Sequence, residues 1–90
     1  MTDPEPNHFA LVWLFAFYPT NGGISEHDDS FIRGVMTRND GELVGSGTMM
    51  AGDNPERDIQ CRIKRRRAET VARVLQNAGY RTEIREIPRP

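Results

Sequence analysis

The chain has 90 residues, with 12 Lys and Arg against 13 Asp and Glu for a formal net charge of -1, and it is 37% hydrophobic and 28% charged. That length fits one domain with a small core and excludes a multidomain enzyme, while the single cysteine excludes an internal disulfide scaffold and makes a reducing, cytoplasmic setting the expectation. The charge balance conceals an asymmetry: residues 1–45 hold 2 basic and 7 acidic side chains, a sum of -5, whereas 46–90 hold 10 and 6, a sum of +4. Such separation serves internal pairing, self-association or a polyanion site.

Residues 1–7, with Pro4 and Pro6, read as a disordered leader to one domain over 8–90. The apolar run from Phe9 to Tyr18 is about half the roughly 20 residues a membrane helix needs, and its acidic, proline-bearing flank is unlike a secretory signal. No membrane partner is expected. Aromatic, apolar on both pleat faces and closed by Pro19-Thr20-Asn21-Gly22, the run predicts a central strand.

Ser25 followed by Glu26, Asp28 and Asp29 predicts a helix N-cap with first-turn acids that suit the positive end of the helix dipole. Phe31, Ile32, Val35 and Met36 supply the apolar stripe, and Asn39-Asp40-Gly41 stops it. A rival pairing makes 31–38 and 43–50 a hairpin across Asp40-Gly41; the periodicity favours the helix. Glu42 to Met50, with Gly45 and Gly47, predicts an edge strand whose glycines mark a bulge or a close backbone approach.

After a turn at 52–55, Asp58 to Lys64 alternates polar and apolar residues and predicts a half-buried strand. From Arg66 to Ala78 the stripe Ala68, Val71, Ala72, Val74, Leu75 and Ala78 predicts a helix, with Gly79 just beyond it as the left-handed terminator. Tyr80 to Ile87 alternates as a last strand before Pro88. The order βαββαβ, with right-handed crossovers, closes into a ferredoxin-like α+β fold: a four-stranded antiparallel sheet of order 4-1-3-2 carrying two helices on one face. The last third, a strand, a helix ending in Ala78-Gly79-Tyr80 and a strand, is similar to small ferredoxin-like regulators such as the bacterial ribonuclease E inhibitor proteins. Ala78-Gly79-Tyr80 is a generic helix ending, so the resemblance implies no function and no site residue.

Two features point to recognition. Lys64, Arg65, Arg66 and Arg67 gather where the second helix begins, although cations there oppose the dipole. The first and third strands are expected to run parallel, so that both helices start at one end of the sheet and Glu26, Asp28 and Asp29 neutralise Arg65 to Arg67 within the fold; the alternative is a surface for phosphate, nucleic acid or an acidic partner. The second feature is the sheet face without helices. With Phe9, Leu11, Trp13, Phe15 and Phe17 turned to the helices beside Ile59, Cys61 and Ile63, that face shows Val12 and Leu14 as apolar anchors, rimmed by Arg62, Arg81 and Arg85. A sheet-to-sheet homodimer is the preferred expectation, with covering by the termini as the alternative. With the first strand's parity reversed, Trp13, Phe15 and Phe17 face outward beside Arg62, and stacking of single-stranded nucleic acid becomes available.

Chemistry-bearing signals are sparse. His8 and His27 lie far apart, His27 sits among acids at a solvated helix start, and Cys61 falls on the apolar face of its strand. Gly45-Ser46-Gly47-Thr48 lacks the lysine and following helix of a phosphate loop, and Ser46 lacks the strand–turn–helix elbow of a nucleophile. The expectation is a small protein-binding or regulatory module, without cofactor, metal or enzymatic activity, that self-associates through its open sheet face. The alternative is a binder of RNA or other single strands through the arginine-rich helix start.

Overall fold

The chain threads six elements in a computed structural model that describes residues 10–20, 23–49 and 55–88. They are β1 (Leu11–Pro19), α1 (Glu26–Arg38), β2 (Glu42–Met49), β3 (Glu56–Lys64), α2 (Arg65–Asn77) and β4 (Arg81–Glu86). The strands form one sheet of order β2-β3-β1-β4 with every neighbouring pair antiparallel, and α1 and α2 contribute to one core cluster with the sheet. This is the ferredoxin-like α+β fold read from the sequence. The expected leader at 1–7, Phe9, His8 and most of the turn at 52–55 lie outside the described residues.

Local chemistry accounts for the helices. The Ser25 side chain accepts a hydrogen bond from the Asp28 amide at 3.2 Å and so caps α1. At the other end of α1 the Gly41 and Asp40 amides donate back to the Met36 and Thr37 carbonyls at 2.8 and 3.2 Å, with Asp40 in the left-handed region at φ 65°. Gly41 is required by crowding: a β-carbon there would lie 2.8 Å from the Met36 carbonyl oxygen and 3.2 Å from Cys61 Sγ. The same terminator closes α2, where Gly79 has φ 99° and the Gly79 and Tyr80 amides return to Gln76 and Leu75 at 3.0 Å each. Residues 31–38 are therefore helical, and the hairpin alternative does not form. As expected, β2 is an edge strand, with its register shift between Leu43 and Gly45.

Two expectations are corrected. The first strand's parity is reversed: Val12, Leu14 and Ala16 stand opposite Ile63, Cys61 and Ile59 in register, so all six share one face, and all are buried under the helices. Val12 and Leu14, expected as anchors on the open face, are 1% and 0% exposed. The helices close that face with Ala68, Val71, Ala72 and Leu75 from α2 and Ile32, Val35 and Met36 from α1, and these strand residues pack against that continuous apolar layer. Tyr18 belongs to the same row because its hydroxyl must reach α1, as described below.

The second correction concerns direction. β1 and β3 pair antiparallel, so the helices that follow them start at opposite ends of the sheet. The acids of the α1 start therefore cannot neutralise Arg65, Arg66 and Arg67, and the expected pairing between them is absent.

Candidate interface on the open sheet face

With β1 turned over, the face away from the helices carries Leu11, Trp13, Phe15 and Phe17 down its centre. In register, Lys64, Arg62, Gln60 and Asp58 of β3 stand opposite these four, and Arg85, Glu83 and Arg81 of β4 stand opposite Trp13, Phe15 and Phe17. The expected rim residues Arg62, Arg81 and Arg85 are thus where the sequence placed them, but around aromatic rings.

The rings and cations are mutually arranged. Phe15 and Phe17 stack with centroids 6.2 Å apart and planes 13° from parallel. The Arg81 guanidinium lies 3.9 Å from the Phe17 ring centroid, leaving Phe17 only 6% exposed, and that of Arg85 lies 5.1 Å from the Phe15 centroid. Electrostatic attraction to the ring face holds each cation there. Arg81 is also paired with Glu56 at 2.6 Å and Glu83 at 3.5 Å, Arg85 with Glu83 at 2.7 Å, and Arg62 with Glu42. Exposed pairs of this kind add little stability; here they fix where each guanidinium sits. Trp13 and Phe15 remain half-buried and Leu11 is 47% exposed, an apolar centre within a charged margin.

The charges are ordered along the strands. At the Pro19 end of β1 lie Glu56 and Asp58 with Arg81; at the Leu11 end lie Arg62 and Lys64 with Arg85 and Glu42; Gln60 and Glu83 occupy the middle. Among the described residues of this face, four acids, Glu42, Glu56, Asp58 and Glu83, match four cations, Arg62, Lys64, Arg81 and Arg85.

The start of α2, the other expected site, is built differently. Lys64 is its N-cap residue and supplies no side-chain cap; the Arg65 amide donates instead to the Ala10 carbonyl at 2.9 Å, so the start of β1 terminates the helix. The Arg65 side chain pairs with Glu86 of β4. Arg66 and Arg67 are exposed and make no ion pair among the described residues. Among the four expected anion ligands, Arg65 is therefore engaged with a carboxylate.

The α1 start holds a polar cluster that sequence reasoning missed. The Tyr18 hydroxyl donates to Asp29 Oδ1 at 2.5 Å and accepts from the Ser25 amide at 3.2 Å, while Arg57 Nε donates to both Asp29 oxygens at 2.8 and 3.0 Å. Tyr80 donates to Asp28. Burial opposes the Asp29 charge, but the bonds from Arg57 and Tyr18, with the charges of Arg57 and Arg33, outweigh it and hold the carboxyl below its ordinary range. Burial first, then the bond to Asp29, pushes Tyr18 up, and burial with the Asp28 bond pushes Tyr80 up to about 12. The signal was available: an aromatic with a polar tip ending a buried strand, two acids in the next helix turn, and an arginine where β3 begins.

Cys61 is buried, and burial pushes its thiol up to about 12; such a thiol is a core side chain rather than a nucleophile at neutral pH. No group of three His, Cys, Asp or Glu that could hold a metal ion occurs among the described residues, and none of their helices is long and apolar enough to cross a membrane. Compared with known proteins, the chain matches no family model, no curated protein and no solved structure.

Proposed function

We propose that this protein is a non-enzymatic, self-associating module that stacks its open sheet face on that of a second copy, in the reducing cytoplasm where its one thiol stays free. The observation that carries the reading is the graded charge of β3 around an aromatic centre: Glu56 and Asp58 at one end, Gln60 in the middle, Arg62 and Lys64 at the other. A two-fold axis lying between two faces and crossing the strands sets β3 antiparallel over its copy. It brings Asp58 over Arg62 and Glu56 over Lys64 of the second copy, and each contact occurs twice, as an isologous interface requires. Phe15, level with Gln60, then meets its own copy at the axis and Trp13 lies over Phe17 of the second copy, and Trp and Arg are the side chains most often found to dominate such interfaces. The cancelling charges of the face disfavour a polyanion, whose affinity comes from net positive charge.

Sedimentation equilibrium tests the reading with three proteins. The native chain should sediment at twice its own mass, and Trp13→Glu should be monomeric with unchanged far-ultraviolet circular dichroism. Asp58→Arg should weaken the dimer about 10-fold, because two cations then face each other, and adding Arg62→Asp to it should restore the dimer. A native chain that stays monomeric at high micromolar concentration overturns the reading. If that monomer binds single-stranded RNA in a salt-dependent way that Arg62→Gln flattens, the exposed aromatics are base-stacking platforms instead.

A further inference from the structure

Ser46 sits on the exposed edge strand β2, between Gly45 and Gly47, and faces the helix side of the sheet because it stands opposite Ile59. Two guanidinium groups from different elements converge on its hydroxyl oxygen: Arg33 Nη2 of α1 at 3.2 Å and Arg57 Nη2 of β3 at 3.1 Å. A hydroxyl oxygen has two lone pairs, and both are taken by cations. Ser46 is thus a weak, neutral acceptor at a place built for an anion.

The arginines are positioned from behind. Arg57 engages both Asp29 oxygens through Nε, and that carboxylate is fixed in turn by Tyr18, so the outer edge of the Arg57 fork is aimed at Ser46 without further ordering. Arg33 lies 3.8 Å from the same carboxylate and is 39% exposed. Asp29 neutralises one of the two cations, which leaves the pair with an excess positive charge beside the hydroxyl. Guanidinium edges of this kind match tetrahedral oxyanions, which accept two parallel bonds where a hydroxyl accepts one. Ser46 is itself exposed, so its hydroxyl meets water on the side away from the two guanidinium groups, where a group larger than a hydroxyl would sit.

We infer that Arg33, Arg57 and Ser46 form a receptor for a phosphate group at the seam between β2 and α1, filled either by free phosphate or by a phosphoryl group carried on Ser46 itself. In the second case a protein kinase transfers the terminal phosphoryl of a nucleoside triphosphate. The phosphoanhydride P–O bond breaks, a bond from Ser46 Oγ to phosphorus forms, the diphosphate leaves with the electron pair, and the hydroxyl proton passes to the kinase's base. Either source adds oxygens that the two forks already face. This inference is independent of the dimer, because the seam lies on the helix side of the sheet.

Side-chain nitrogen resonances of Arg33 and Arg57 in the full chain provide the test. Inorganic phosphate, titrated against chloride at matched ionic strength, should shift both resonances saturably, and Arg33→Gln should weaken that binding about 10-fold. In a second arm, the full chain carrying phosphoserine at position 46, joined at Cys61 from two synthetic segments, should melt at a higher temperature than the unmodified chain, and Arg33→Gln should abolish the gain. Success in the first arm assigns free phosphate; success in the second alone assigns modified Ser46. No saturable shift together with a phosphoserine chain that melts no higher overturns the receptor.

Discussion

The two faces of β1 are both apolar, yet they do opposite things. Val12, Leu14, Ala16 and Tyr18 face the helices and are all nearly inaccessible, whereas Leu11, Trp13 and Phe15 on the reverse keep part of their surface in water. Size does not separate the two sets, since the large ring of Tyr18 is on the buried side and the smaller Leu11 on the wetter one. What separates them is the partner each face meets: on one side the apolar stripes of two helices, with Ile32, Val35 and Met36 from one and Ala68, Val71, Ala72 and Leu75 from the other, and on the other a fringe of arginines that shields rings without burying them all. A residue's apolar character therefore says that it will leave water, but the depth of the layer opposite decides which side it goes to.

Substitution of Leu14 by alanine strikes the first face hardest. It removes a fully buried side chain from the core cluster that the sheet shares with both helices, and the cost of lost transfer energy plus a cavity is about 2–5 kcal/mol, a large share of the stability of a small domain. Chemical denaturation measures it, and the matched change Trp13→Gln, made at concentrations where the chain is monomeric, should cost only about 1 kcal/mol. Equal losses would mean that the two faces are one core.

Tyr18 sharpens the comparison because it stands on the buried face but ends in a polar group. Tyr18→Phe withdraws a donor from partly buried Asp29 and should cost about 1–3 kcal/mol. The linked pH dependence has a definite sign at each limb. Asp29 is held below its ordinary value of 3.8, so its stabilisation is present above that value and is lost as pH falls through the depressed folded value. The two tyrosines are raised from 10.0, Tyr80 to about 12. Their neutral forms are the ones the fold favours, so that contribution is whole below pH 10 and declines as pH rises toward 12. Since the chain has 2 tyrosines, its native tyrosinate absorbance should rise only above pH 10.0; a full step at that value would sever both hydroxyls from their carboxylates.

The same contrast explains what could be read from the residues beforehand. β3 and α2 were legible because each carries a single period: Ile59, Cys61 and Ile63 alternate, and Ala68, Val71, Ala72 and Leu75 follow a helical stripe that Gly79 ends. β1 is apolar on both pleat faces and offered no alternation, so the expectation that its aromatic row turns to the helices had no period to rest on, and it is the other row that is buried. Hence the rim arginines Arg62, Arg81 and Arg85 were found while the anchors between them were exchanged for their neighbours. The direction error at the helix starts has another origin. In a sheet of order 4-1-3-2, each crossover helix joins parallel strands with an antiparallel one between them, so β3 must oppose β1, and charges 1–3 residues from a helix start follow strand direction rather than sequence proximity. The Arg57–Asp29 contact, spanning 28 residues, needed that topology before its residues could be connected.

The smallest expected effect probes the wetter face alone. Arg85 lies above Phe15 and is tied to Glu83, but its side chain is 62% exposed, and an exposed cation over a ring is worth only about 0.5–1 kcal/mol. Arg85→Gln keeps a planar, polar group of similar reach over the ring, so the monomer should lose about 0.5 kcal/mol by chemical denaturation. In the proposed dimer the same guanidinium would be withdrawn from water, where its contact strengthens, and the dissociation constant should change by more than the monomer's stability does. A monomer loss of about 2 kcal/mol or more would place Arg85 and Phe15 in a sealed layer, and the face would then be a second core rather than a surface for another chain.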